Sequence, residues 1–537
     1  MSWFCAIQII YSNMALIPPK RLFHVPSMST VMYVDVADDV KEKGYVAISH
    51  VWGKQQMYSA DEVGILGGVN WRIPLSNTNK ISRLISAMKY REMEYCWFDV
   101  LCMPQDKQDE INLEIPFMGD YYSEASVTFV LSDEKYVINK DFTTWSDFMS
   151  DVIRSDRELT ADETRWIVKN PNLLNFGKDL WFTRVWTLQE AVLSKKLILV
   201  DTGGSYLDLS NLLDKMWHMS LKNVPMVFAL FEEPQFLVEI ANTLHEYRSG
   251  ELCLTRALGT SRNKNCHEIR DRFYAVLGML DYKDFVVDYE MDIDDLNKRI
   301  AQHAYSKGDI SWLAVGGNAG KGFVQPMHQP FLRIGHIWKQ DTSSIVFNDM
   351  LCVQAKTFGT VACCEEYIGP LPDIEENISW TVRTFTKWGF GLTQILDAML
   401  RYNSASEEFV SVGTHIIDAL SKGASFQSIC REIAQLQSVE YVYKYAGDVL
   451  AKLTWLGTIY KKVVIINVVT PTGNYPLIVC GNAEVGDTVV VTKLYDDVYR
   501  KRGLGIVVSK SSERKGVCIV PREIVGYKFD DIHKFVV

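Results

Sequence analysis

The stretch YVAISHVWG, Tyr45 to Gly53, begins as a buried strand and closes on a glycine, and the pattern that follows it decides the fold. NTNKISRLISAMKY then carries Ile81, Leu84, Ile85 and Met88 at the i, i+3, i+4, i+7 spacing of one helical face. YCWFDVLC (Tyr95 to Cys102) reads as a second strand, SVTFVLS (Ser126 to Ser132) as a third and KKLILVD (Lys195 to Asp201) as a fourth. Before the third, DEINLEIPFMGDYYSEA places Ile111, Ile115, Met118 and Tyr122 on a helical stripe whose first turns Pro116 disturbs. Alternating strands and helices predict βαβ units and an α/β fold with an open, mainly parallel sheet.

Such a sheet gathers ligands at the carboxyl ends of its strands. Ser49, His50 and Trp52 follow the first strand, Asp99 and Cys102 close the second, and LWFTRVWTLQE (Leu180 to Glu190) enters beside the third. Trp186 and Glu190 stand four apart in that segment, one above the other on a helical face.

Outside this region the texture changes twice. A polar, tryptophan-containing insertion runs from about 140 to 173, and from about 205 to 451 the pattern is mostly helical, clearest in DLNKRIAQHAYSKG and SKGASFQSICREIAQL. Beyond Lys461, KVVIINVVT, YPLIVCG, GDTVVVTKLY, RGLGIVVSK and GVCIVPREIVGY read as short strands of a small β unit. The expected division is an extension over 1–31, the α/β domain over 32–205, a helical region over 206–456 and the β unit over 457–537.

The chain has 537 residues, 47% hydrophobic and 23% charged, a globular balance with ample material for cores. A net charge of −10 argues against a general nucleic-acid binder, and YRKRG (Tyr499 to Gly503) reads as a solvated hairpin end. Eleven cysteines without a CxxC pair suggest neither a zinc ribbon nor a secreted disulfide framework. The opening segment lacks a basic leader, and no uncharged run is long enough to span a bilayer, which predicts a cytoplasmic protein without a metal site or bound cofactor.

Three blocks in order resemble the fungal heterokaryon-incompatibility (HET) domain: YVAISHVWG, YCWFDVLCMPQ with Glu114, Met118, Tyr122 and Ala125, and WFTRVWTLQE. RDRFYAVLGML (Arg270 to Leu280), followed by Asp288 and Tyr289, resembles a segment that often follows this domain. The family usually has Tyr where this chain has His50 and Asn where it has Pro104, which bears on ligand preference. HET domains are similar in layout to TIR domains, a flavodoxin-like arrangement, and many TIR domains hydrolyse NAD with a glutamate in a Trp-x-x-x-Glu helix. The resemblance therefore implies a role in self/non-self recognition, defence or cell-death signalling, with Glu190 as catalytic residue and NAD or a related nucleotide as substrate.

The chemistry suits these residues. Cleaving the nicotinamide–ribose bond builds positive charge on the ribose, which a carboxylate stabilises best where water is excluded. Ser49, Trp52, Asp99 and Trp186 would line the substrate crevice, and Arg184 would pair its planar fork with the pyrophosphate. Two competitors stand beside this reading. Cys102 with His50 as base would make a cysteine nucleophile, and a non-catalytic module acting through a protein partner or self-assembly would need Glu190 and Asp99 only as structural carboxylates.

Overall fold

The computed structural model describes residues 16–52, 56–135, 140–157, 160, 162–163, 179–221, 235–261, 264–309, 311, 346–347, 350–366, 374–400, 407–425, 428–429, 463–495, 502–511, 514–521 and 532–536. Residues 499–501 of YRKRG, most of the 140–173 insertion after residue 157, and most of SKGASFQSICREIAQL fall outside them.

The N-terminal sheet has seven strands: β1 (Arg21–His24), β2 (Ser29–Met32), β3 (Val46–His50), β6 (Tyr95–Phe98), β7 (Val127–Leu131), β8 (Leu197–Val200) and β9 (Tyr206–Asp208). A small hairpin, β4 (Gln56–Tyr58) with β5 (Ile73–Leu75), stands apart from it. The order β2-β1-β6-β3-β7-β8-β9 is mixed: β6, β3, β7 and β8 run parallel, and the β1–β2 hairpin and β9 pair antiparallel at the edges. Every residue of β3, β6, β7 and β8 is buried, which is why these strands read as unbroken apolar runs. The chain leaves β3 for β6 on one side and returns to β7 on the other. The carboxyl end of β3 is thus the topological switch point where doubly wound sheets open a crevice.

The helices follow from the sequence with local corrections. α1 (Tyr33–Lys43) joins β2 to β3, and α2 (Asn79–Tyr90) buries Ile81, Leu84 and Met88 and packs on β7. The second strand stops at Phe98, short of Cys102, and Asp99–Cys102 form a helical turn, α3. The Asp99 carboxylate accepts the Val100 N–H at 2.7 Å, and this local bond competes with continued strand pairing. Pro116 splits the next helix into α4 (Gln108–Glu114), a 3-10 turn and α5 (Met118–Glu124). α6 (Lys140–Ser155) occupies the start of the insertion. LWFTRVWTLQE divides likewise into a 3-10 turn at Leu180–Thr183, begun by Asp179 accepting Trp181 N–H at 2.8 Å, and α7 (Trp186–Leu193), which packs on α5 and β3.

Because β1 and β2 belong to the sheet, the α/β unit begins near Arg21, ahead of residue 32. The next region carries α8 (Leu209–Leu221), α9 (Gln235–Arg248), α10 (Leu254–Ser261), α11 (Asp271–Tyr274) and α12 (Ile293–Ser306), then β10 (Val346–Phe347) and β11 (Met350–Glu366), followed by α13 (Ile374–Lys387), α14 (Leu392–Leu400) and α15 (Glu407–Ser421). β11, a 17-residue strand inside the region expected to be helical, belongs to the C-terminal β unit. That unit adds β12 (Val463–Thr470), β13 (Gly473–Gly481), β14 (Thr488–Tyr495), β15 (Arg502–Val508), β16 (Arg514–Pro521) and β17 (Ile532–Val536). Antiparallel pairing runs β11-β12-β13-β16-β15-β14 and returns to β11, around a core that includes Phe358, Ile466, Val479, Val489 and Val507. Gly359 stands where β11 passes from β14 to β12, and a Cβ there would lie 2.4 Å from Val469 O, so only glycine fits without a shift.

Candidate active site at the switch point

Successive residues of a strand point to opposite faces. At the end of β3, Ser49 therefore turns toward α7 and His50 toward α2 and Asp99. Ser49 donates its hydroxyl proton to Glu190 Oε2 and accepts the Trp181 indole N–H at 2.6 Å. Tyr122, on α5, lies beside the same carboxylate, and its hydroxyl donates to Ile48 O at 3.4 Å. Glu190 is 7% exposed. Burial pushes its carboxyl up to about 8; the Ser49 bond opposes this, the nearby Asp99 charge adds to it, and Arg184 and Tyr122 oppose it.

On the other face, Asp99 Oδ1 lies 3.1 Å from His50 Nε2, and Asp99 Oδ2 accepts the Trp52 indole N–H at 2.9 Å. Burial works against the Asp99 charge, yet His50, Trp52 and Val100 N–H together hold its pKa below the usual value. Behind His50 stands Lys80, fully buried, which donates to Val51 O at 2.5 Å, pairs with Asp133 at 3.0 Å and lies 3.5 Å from His50 Nδ1. A lysine facing Nδ1 leaves Nε2 to carry the proton toward Asp99. Burial lowers the His50 pKa, Asp99 opposes that, and Lys80 adds to it. The imidazole is thus neutral near pH 7.

The structure brings Ser49, Glu190, Asp99 and Trp52 to one end of the sheet. Arg184 lies close enough to act on the Glu190 charge, and its side chain makes no hydrogen bond or ion pair with any described residue. Trp186 is half-buried beside Asp271, whose carboxylate accepts the Tyr289 hydroxyl at 2.8 Å. The aromatic side chain that hydrogen-bonds within the Ser49–Glu190 pair is Trp181. Sequence reading passed over it because a tryptophan before a helix has no periodic signal of its own.

The cysteine alternative fails on geometry. Cys102 is fully buried, its thiol is pushed up to about 12 mainly by burial, and its sulfur lies near Phe98 N and Cys96 O. His50 is engaged with Asp99 and Lys80 and so does not serve the thiol as a base. Pro104 is buried beside the turn in which Gln105 Nε2 donates to Asp99 O at 3.3 Å. Among the described residues no group of three or more His, Cys, Asp or Glu side chains is arranged to hold a metal ion.

The helical region holds the Glu190 segment from outside, a feature without a sequence signal. Lys264 Nζ donates to Phe182 O at 2.8 Å, Asn265 N to Thr183 O at 2.5 Å, and Val185 N to Asn265 O at 3.0 Å. Gly278 N donates to Gln189 Oε1 at 3.1 Å, and a Cβ on Gly278 would lie 2.6 Å from that oxygen and 3.0 Å from Gly119 Cα. Lys283 pairs with the buried Asp120 of α5 at 2.7 Å.

An open α/β sheet with a buried serine–carboxylate–indole network at its switch point defines the class: a doubly wound domain with a polar site at the strand ends. Residues 45–190 match the family described as Heterokaryon incompatibility protein (HET), so the chain carries a HET domain over that segment. The match runs from the start of the strand that carries Ser49 to Glu190. The chain is also 23% identical, over 186 residues, to heterokaryon incompatibility protein 6, OR allele, of Neurospora crassa, a similarity covering 27% of each chain. The chain thus spans only about a quarter of that relative's length. No solved structure matches it. No helix among the described residues is long and apolar enough to cross a membrane.

Proposed function

We propose that this protein acts in self/non-self recognition or cell-death signalling, and that its HET domain does so by hydrolysing NAD at the nicotinamide–ribose bond. The printed name of the Neurospora relative supports the first part. The observation that carries the second is the Ser49–Glu190 pair, a carboxylate withdrawn from water at the carboxyl end of the sheet with Trp181 and Tyr122 around it. Bond cleavage returns the electron pair to the nicotinamide nitrogen, which leaves neutral, and positive charge develops on the ribose. Glu190 faces that charge in surroundings of low dielectric, where a fixed carboxylate acts most strongly.

Before substrate binds, Glu190 holds its proton at neutral pH, because its carboxyl lies at about 8. A cationic nicotinamide ring beside it favours the ionised form, so substrate binding and proton release are linked. The Arg184 guanidinium, without a side-chain partner among the described residues, serves the pyrophosphate, and Trp52 borders the crevice. A second reading, an assembly module without catalysis, is favoured by one fact: at 7% exposure Glu190 also fits a structural strut between β3 and α7. Incubation of the purified protein with NAD decides between them. Nicotinamide release that Glu190→Gln abolishes supports the enzyme, and no release under any activating condition supports the module.

A further inference from the structure

Asp99 is built differently from Glu190. Its carboxylate takes His50 and Val100 N–H on Oδ1 and Trp52 on Oδ2, three donors for about four acceptor sites, so one lobe of Oδ2 is uncommitted. Asp99 is partly exposed, whereas Glu190 is buried. Behind it, Lys80 holds His50 with Nε2 as the donor, and Lys80 is anchored by Val51 O and Asp133. A chain of buried groups therefore aims one open carboxylate oxygen from a fixed position.

The two carboxylates also differ in charge. Burial raises Glu190 to about 8 with the Asp99 charge adding to it, while the three donors hold Asp99 below its ordinary value. The environments thus drive the two protonation states apart and leave Asp99 ionised, the carboxylate free to accept a proton.

We propose that Asp99 is a second catalytic carboxylate of this site, the base that takes the proton from the water attacking C1′ of the ribose. The role rests on the NAD-cleaving reading above. In the first step the C1′–N bond breaks and its electron pair leaves with nicotinamide. In the second the water oxygen bonds to C1′, its proton passes to Asp99 Oδ2, and that proton leaves to solvent with ADP-ribose. His50 and Lys80 are positioning residues, since they act on Asp99 and not on the substrate.

The test separates the two steps. Parent, Asp99→Asn and Glu190→Gln receive NAD with isotopically labelled nicotinamide; hydrolysis is read as ADP-ribose and exchange as label entering NAD. Exchange runs the first step in both directions and removes no proton. Asp99→Asn should therefore lose hydrolysis by about a hundredfold or more while exchange stays within about threefold. Glu190→Gln should lose both together. Only folded molecules contribute to the ratio of the two rates, so partial misfolding does not disturb it, and His50→Leu should move that ratio in the same direction. If Asp99→Asn lowers hydrolysis and exchange equally, or neither, the role is overturned and the NAD-cleaving reading stands. A parent that releases no nicotinamide overturns that reading, and this role with it.

Discussion

Replacing Glu190 by glutamine changes almost no shape and removes one titration. The folded protein holds this carboxyl at about 8 against an ordinary value of 4.5, so the folded state binds the proton more tightly than the unfolded chain. The stability this contributes is fully present below about pH 4.5 and is lost as pH rises through 8. At about 1.4 kcal/mol per tenfold, the span from 4.5 to about 8 corresponds to about 5 kcal/mol. Glutamine keeps an acceptor for Ser49 and does not titrate. Glu190→Gln should therefore match the parent near pH 5 and exceed it at pH 9, by roughly 10 °C or more in Tm for a unit of this size. Thermal unfolding by circular dichroism at pH 5, 7 and 9 measures this. Parallel Tm curves for the two proteins would refute a buried, proton-holding Glu190. In the same variant NAD cleavage should fall by about a hundredfold or more, the cost of losing one electrostatic stabiliser.

Cys102→Ser should leave NAD turnover unchanged while lowering stability by about 1 to 2 kcal/mol for a hydroxyl in an apolar site, read by denaturant unfolding beside an activity assay. Arg184→Ala should raise KM for NAD by about tenfold to a hundredfold with little effect on kcat, as expected for loss of a charge-assisted contact of about 1.5 to 3 kcal/mol; an unchanged KM argues against the pyrophosphate role. Gly278→Ala should destabilise the protein by about 1 to 3 kcal/mol, because its methyl meets Gln189 Oε1 and the Gly119 backbone, and a denaturant midpoint equal to the parent's would contradict that close approach.

What the sequence disclosed follows from burial. β3, β7 and β8 are covered on both faces and read as continuous apolar runs, and α2 and α12 carried clear helical periods. β1, β2 and β9, with four, four and three residues, are too short to show any period, so the antiparallel edges went unread. β11 was hidden because partners such as β12 and β14 lie about a hundred residues further on, and its local run of Cys, Gly and Thr is not strongly apolar. In the site, Ser49 and Asp99 were legible as strand-end residues. Lys80 was not: in NTNKIS it reads as a solvated helix position, and only the fold encloses it between Val51 O, His50 and Asp133.

The same logic explains why the site extends beyond the matched segment. The family match ends at Glu190, yet the backbone leading to that residue is held at Phe182, Thr183 and Val185 by Lys264 and Asn265, and at Gln189 by Gly278. Burial of Lys264 costs its ammonium enough to lower its pKa to about 8, a cost offset in part by Phe182 O, so the contact is specific to the docked arrangement. The turn at Leu180–Thr183 in turn carries Trp181, whose N–H fixes the Ser49 oxygen against Glu190. Any movement of the helical region therefore reaches the Ser49–Glu190 pair through one short turn of backbone. The sheet carries Ser49, and the region behind it holds the turn that aligns Ser49 with Glu190.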